Sequence, residues 1–502
     1  MALNRRELLG GLGAASASAI LWAMGCRTQE QDTLGARADA DDVAAWLRSA
    51  VVRIATAFPA QAATAHALAV SRARATAAVD VLGRGVSRGR VEGVVLRVQL
   101  RDGAWHEEVT ADLSRAGVDV IAGRLTGRSG GRDVAPGRGG PDFGPPAKLV
   151  AGPSSDADDP LALRDRDLLE RVDAMASADT AISSRIVYAA SVLDIDDTAL
   201  WSVALGRQRA QRSVRVRRSV TRVAWNGTRP VISELARGWR GGVDDLAFAP
   251  AEIQGVSEDA LALMTPGELA DGDYDIELAP AVVAIVLDAT ARELLTSAAA
   301  RRPEVAARLA VGATVVSPLL SLVDDPTAAA AYGGFAFDDE GADARPVPLL
   351  EAGRVVGRLA DRAGAGDAAA GRGRRPGHLG PLEAAPSHLR LAVGSGTRGK
   401  LVGSGLVVDG ARGCVIDPSS DRVVISARRA DAVGGGDATG RKWADVEVVG
   451  ELGALLAAVS AVSADALTFP VRDEALGLPR WRSIETPAIA TRAHVRARRR
   501  AT

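Results

Sequence analysis

Cysteine is almost missing from this chain: of 502 residues, only Cys26 and Cys414 carry a thiol. A disulfide-stapled scaffold is thereby excluded, as is a zinc site built on several thiolates. Lysine is nearly as scarce, at Lys148, Lys400 and Lys442, although basic residues number 61. Arginine therefore carries the positive charge, and with abundant Ala and Gly this reads as the codon bias of a GC-rich genome. Aromatic residues make up 3%, and nothing resembles a P-loop, a dinucleotide fingerprint or a nucleophile elbow. The formal net charge is -1, which gives the chain as a whole no pull toward nucleic acid or anionic lipid. What remains is 47% hydrophobic and 25% charged, the balance of a globular protein long enough for two or three domains.

The first residues are informative. Arg5-Arg6 precede Glu7-Leu8-Leu9 and an uncharged stretch from Gly10 to Gly25. This charged-then-apolar order predicts an export signal, and the paired arginines point to the twin-arginine route. The apolar part is too short and too rich in Gly and Ala to span a bilayer. It ends Ala23-Met24-Gly25-Cys26, similar to the lipobox of bacterial lipoproteins, with Ala23 where leucine is commoner. The expectation is an exported protein of the periplasm or cell envelope, lipid-anchored at Cys26. Cys414, in Gly413-Cys414-Val415-Ile416, then has no partner for a disulfide and reads as a small buried hydrophobe.

The rest of the chain divides by periodicity and composition. After a signal over 1–26, an N-terminal α/β domain is expected over 38–122. Val43, Trp46, Leu47, Val51, Ile54 and Phe58 recur at helical spacing, and the stretch 41–81 reads as helical. Leu96, Val98 and Leu100 alternate with polar residues, and Asp102-Gly103 turns into a returning strand through Trp105 and Val109. Residues 123–160, rich in Gly and Pro, are expected as a disordered linker. A central α/β domain over 161–270 opens with a helix near 161–176. Strands follow near 186–190, 200–205 and 214–224, and a turn at Asn226-Gly227 leads into Pro230–Ile232. Asn226-Gly227-Thr228 also matches a glycosylation acceptor, a coincidence in a bacterial export context. Arg207, Arg209, Arg212, Arg215, Arg217, Arg218 and Arg222 form the densest basic run; Arg215 and Arg217 alternate with Val214 and Val216, so these arginines are expected on the solvent face of a strand, not on nucleic acid.

The C-terminal unit, 271–496, reads as predominantly antiparallel β. Ala281–Leu287 has the length of a buried strand, and Thr290-Ala291-Arg292-Glu293 looks like a capping box opening a helix toward Ala299. Short β-like runs follow, with a last apolar helix expected over 451–462. The fold class is therefore α+β, with mixed helix and hairpin N-terminal domains and a β-rich C-terminal domain.

Several stretches of this unit carry a resemblance. They are Leu278-Ala279-Pro280, Leu322-Val323-Asp324-Asp325-Pro326, Gly333-Gly334-Phe335-Ala336-Phe337-Asp338-Asp339-Glu340-Gly341, Val347-Pro348-Leu349-Leu350-Glu351 and Gly353-Arg354-Val355-Val356-Gly357-Arg358-Leu359. In this order they resemble the TldD/PmbA family, metallopeptidase-related proteins long labelled modulators of DNA gyrase. The gyrase label fits an exported protein poorly and is not carried over.

The resemblance implies a zinc peptidase site in catalytic members: His-Glu-x-x-x-His on a helix, completed by a C-terminal cysteine. Counting on from Leu278-Ala279-Pro280, that motif falls on Asp288-Ala289-Thr290-Ala291-Arg292-Glu293. Asp288 and Glu293 stand for the histidines, Ala289 for the glutamate, and no cysteine follows Cys414. No catalytic, metal or cofactor residue is therefore expected, with Asp288 and Glu293 serving as helix-capping carboxylates. The other histidines give no replacement: His106-Glu107-Glu108 reads as strand surface, and His378 and His388 flank a loop without a third ligand. Asp324-Asp325 and Asp338-Asp339-Glu340 read as turns that bind backbone amides. The resemblance implies a non-catalytic subunit, paired with a homologous catalytic chain or with itself, acting on unfolded peptides. The alternative is an envelope binding or structural lipoprotein that reuses the scaffold.

Overall fold

The computed structural model describes residues 39–58, 62–80, 83–128, 149–150, 160–177, 185–227, 230–245, 247–264, 269–329, 331–365, 371–375, 380–475 and 478–498. Arg5, Arg6, Cys26 and His378 lie outside them, as does most of 123–160. Within that stretch, residues up to Gly127 end a helix that buries Leu125, so the expected linker begins too early.

The first helix, α1 (Ala40–Ala57), is capped by Asp39, whose carboxylate accepts the Asp41 and Asp42 amides, and it buries Val43, Leu47, Val51 and Ile54. The helical period ends there. Residues 62–80, expected to continue the helix, form β1 (Ala62–Asp80), which pairs with β2 (Gly83–Leu100). Its alternate alanines Ala65, Ala67 and Ala69 lie in the same apolar cluster as α1; such small side chains let a helix approach a sheet closely. β3 (Trp105–Thr110) follows across the expected Asp102-Gly103 turn, with Gly103 at φ 89°.

The sheet continues through β4 (Leu149–Val150), β5 (Ile186–Ala204), β6 (Arg207–Trp225) and β7 (Pro230–Arg240) in the order β3-β2-β1-β5-β6-β4, with β7 also on β6. β1 pairs with β5 from His66↔Ala204 to Asp80↔Ala190. The stretches 38–122 and 161–270, read separately in the sequence, thus build one seven-stranded sheet. One face packs against α1, α2 (Arg115–Gly127), α3 (Asp165–Ser177) and α4 (Pro250–Ala262). The other face meets the C-terminal unit.

That unit holds β8 (Gly272–Leu278), α5 (Pro280–Glu293), α6 (Pro303–Arg308), β9 (Leu322–Asp324), β10 (Val347–Glu351), β11 (Arg354–Val355), α7 (Arg362–Ala365), β12 (Gly373–Arg374) and β13 (Glu383–Ala384). It continues through β14 (His388–Leu391), β15 (Ser404–Ile416), β16 (Arg422–Gly434), β17 (Asp437–Glu451), α8 (Leu452–Ala457), β18 (Ala461–Ala475) and β19 (Leu478–Ala497). Its ten-stranded sheet is mostly antiparallel; β14–β19 and β15–β8 are its parallel pairs. Because β19 bonds both β17 and β8, the strands β19-β17-β16-β15-β8 close into a ring. The protein is α+β.

Three local expectations fail here. The run 281–287 is α5, not a strand: Pro280 stands at its first turn, and the helix is buried nearly all round, which removes any periodic polar signal. Thr290–Glu293 then ends this helix and opens none, because the Leu294 amide closes onto the Thr290 carbonyl. The last helix is α8 alone, and the chain has entered β18 by Ala461.

Candidate functional site

The motif positions sit together on α5. The Ala279 amide donates to the Val408 carbonyl on β15 (2.9 Å), anchoring the start of the helix to the ring. Nine residues on, Asp288 points into the protein and is 7% exposed. It does not cap the helix, as expected from the sequence, because it lies past the helix midpoint. Arg482 of β19 grips it as a fork, Nε to Oδ1 at 2.7 Å and Nη2 to Oδ2 at 3.0 Å. Arg292, one turn on, donates from Nε to Oδ2 at 3.1 Å. Both carboxylate oxygens are thus occupied by cationic donors. Ala289 is buried and offers no polar group. Glu293 is half-exposed and accepts from Arg292 Nη1 at 3.3 Å, so it too is an ion-pair partner and not the capping group expected. The Cys414 thiol, on β15, faces Arg292 and Asp288, and burial pushes it up to about 12. Sequence reading missed Arg482 because it lies 194 residues from Asp288.

A second constellation surrounds the acidic-glycine segment 333–341, which lies across the open face of the N-terminal sheet. Alternate residues of β6 hold it. Arg207 donates to the Gly341 carbonyl (3.0 Å), Gln211 Nε2 to Phe337 O (2.8 Å), and Arg215 to the carbonyls of Tyr332 (2.8 Å) and Gly334 (2.9 Å). Arg209 pairs with Asp343. The expected solvent face of β6 is therefore a domain interface. The intervening residues fare no differently: Arg218 donates to Val243 O and Arg222 to Ala190 O, both on the helix-covered side.

Glu107, expected on plain strand surface, is drawn into the same interface by Arg375. Within the segment the carboxylates bind amides as the sequence suggests. Asp338 accepts from Glu340 N, Ala342 N and Gly373 N at 2.9–3.0 Å. Burial, reinforced by the Glu340 charge, nevertheless pushes its carboxyl up to about 7. Glu340 reaches Arg97 of β2 at 3.1 Å. Asp324 accepts the Ser387 and His388 amides and a buried Arg372. His388 has its Nδ1 2.8 Å from Ser483 Oγ and its Nε2 3.5 Å from a Glu485 carboxylate oxygen, while His378 lies outside the described residues. Among the described residues, no group of three His, Cys, Asp or Glu side chains is placed to hold a metal.

Between the segment and the sheet lies a cavity of about 30 Å³, walled by Leu68, Val70, Arg72, Phe335, Arg374 and Trp481 among others. Arg72 and Arg215 both stack on the Trp481 ring, at 4.2 and 4.5 Å. Nothing in the sequence marks this meeting of β1, β6 and β19.

A helix-covered sheet is thus clamped onto a β ring, with the motif helix packed against β15 and β19 of that ring. Residues 271–494 match the model of the PmbA/TldA metallopeptidase C-terminal domain, so this unit is a domain of that kind. No curated protein matches it in sequence. Its fold is similar to that of a protein from Bacteroides thetaiotaomicron described as a candidate modulator of DNA gyrase, at 16% identity and TM-score 0.71, covering 92% of this chain and 100% of that one. A protein of like description from Thermotoga maritima gives 16% and 0.66, covering 86% and 96%. TldE from Thermococcus kodakarensis gives 16% and 0.69, covering 90% and 100%. At these identities the likeness is one of fold.

Proposed function

We propose that this chain is the non-catalytic subunit of a peptidase complex that acts on unfolded peptides. The observation that carries this reading is the Asp288 ion pair. Zinc needs lone pairs that face an open position, and both Asp288 oxygens already accept cationic N–H groups. A divalent ion there would meet two guanidinium charges at contact distance. With Ala289 in the position of the general base, no side chain could activate a bound water. The residues present do not fit the metal, so no catalytic step runs through this site. The family's catalytic chemistry is left to a partner, either a homologous chain with an intact motif or, less in keeping with that division of labour, a second copy.

The expected outcome is a purified chain that holds no stoichiometric zinc and cleaves no unfolded peptide by itself. Elemental analysis is the check; one tightly held zinc per chain would overturn the reading. Co-purification from the native organism, with partners identified by mass spectrometry, is expected to recover a homologue carrying His-Glu-x-x-x-His. Its absence would instead favour the binding-lipoprotein alternative.

We also propose export and lipid anchoring at Cys26, supported by Arg5-Arg6, the uncharged stretch and the Ala23–Cys26 motif. No described helix is long and apolar enough to cross a membrane. Metabolic labelling with a radioactive fatty acid is expected to mark the chain, and Cys26→Ser to abolish the label; a labelled Cys26→Ser chain would refute the assignment.

A further inference from the structure

The interdomain cavity has a wall that is charged to one side and apolar to the other. Four guanidinium groups line it, from Arg72, Arg215, Arg374 and Arg375, against a single carboxylate, Asp339. Two of the four are committed elsewhere: Arg215 to the carbonyls of Tyr332 and Gly334, Arg375 to Glu107 and the Gly380 carbonyl.

Arg72 and Arg374 differ. Each is only 8% exposed, yet Nε and Nη1 of both have no hydrogen-bond partner. Arg72 Nε lies 3.8 Å from Asp196 Oδ1, and Arg374 Nε lies 3.7 Å from Asp339 Oδ1. Those distances give attraction without a hydrogen bond. Each guanidinium lies over a ring, Arg72 over Trp481 with its Cζ 4.2 Å from the centroid and Arg374 over Phe335 at 4.5 Å, a cation–π contact that favours this placement.

Buried donors without acceptors are rare in folded proteins, and two like charges that share a small cavity repel one another. Burial, with Arg374 nearby, weakens the hold of Arg72 on its proton. An anion between the two groups would relieve both penalties. Its type follows from the wall. A carboxylate matches the fork of a guanidinium, and Leu68, Val70 and Leu200 offer an apolar lining for a short stem. A strongly hydrated phosphate dianion does not suit that apolar lining.

We infer that Arg72 and Arg374 form a binding site for a carboxylate on a short apolar stem, as at the C-terminal residue of a peptide. The peptide as its source rests on the proposed function; the carboxylate site does not.

Isothermal titration of the full-length chain with N-acetylalanine tests it, with N-acetylalaninamide and inorganic phosphate as the comparison probes. One saturable acid site is expected, with the amide silent and phosphate at least tenfold weaker. Arg72→Gln and Arg374→Gln, each checked for an unchanged unfolding transition, should each weaken acid binding at least tenfold. An amide that binds as well as the acid, phosphate that binds where the acid does not, silence from all three probes, or folded variants that bind like the parent would each overturn the site. Zinc in the purified chain would sink the subunit reading while leaving this titration unaffected, so the two can fail separately.

Discussion

Asp288 shows how much one side chain's meaning depends on what faces it. A carboxylate on a buried helix is costly unless paired, and here Arg482 and Arg292 share the pairing. Removal of Arg482 leaves a buried carboxylate with one half-exposed partner. Arg482→Ala is therefore expected to lower unfolding free energy by about 3 kcal/mol, read from denaturant titration. Asp288→Asn should cost less, because the amide oxygen still accepts one guanidinium N–H; a larger loss for Asp288→Asn than for Arg482→Ala would contradict the pairing. Asp288 was legible in the sequence as a carboxylate in place of a histidine. Its partner was not, since nothing local links β19 to α5.

Among elements, the acidic-glycine segment is the clearest case of sequence dictating geometry. Gly333 packs so closely that an added Cβ would sit 2.0 Å from the Ser387 carbonyl oxygen and 2.8 Å from Arg482 Cα. Those neighbours are backbone and cannot swing aside. Gly333→Ala is expected to destabilise by about 1–3 kcal/mol or more through overpacking, seen as a lowered thermal midpoint. An unchanged midpoint would mean that the segment does not seat as described. The hairpins at Asp102-Gly103 and Asn226-Gly227 were readable because turn residues with positive φ announce themselves. The run 281–287 was not readable, because a segment buried on every side carries no periodicity to separate helix from strand. The alanine-rich β1 failed for the opposite reason: its small residues carry too little contrast in size and polarity to show a period of two.

At the scale of the molecule, the two faces of the N-terminal sheet carry the argument. His66 of β1 lies in the interface, 2.8 Å from Ser202 Oγ. Burial first, then the charges of Arg362, Arg97 and Arg375, push its imidazole from 6.5 down to about 3. A folded-state value below the unfolded one means that the stabilising contribution is complete above pH 6.5. It is lost progressively as pH falls toward 3, where folding must hold a neutral ring that the unfolded chain would protonate. His66→Gln, which keeps a polar partner for Ser202, should therefore lose stability less steeply than the parent between pH 6.5 and 3. Urea midpoints across that range are the check, and parallel curves would rule the contribution out.

By itself, the sequence determined the α+β class, the hairpin turns and the order of motifs that carries the family resemblance. These are local properties, written in residue type, spacing and turn chemistry. Only the tertiary structure decided that residues 62–110 and 186–240 share one sheet, that the arginines of β6 clamp a second domain where solvent was expected, and that Arg482 pairs with Asp288. Those outcomes depend on pairs of residues far apart in the chain. An alternating polar face reads the same in the sequence whether water or another domain covers it.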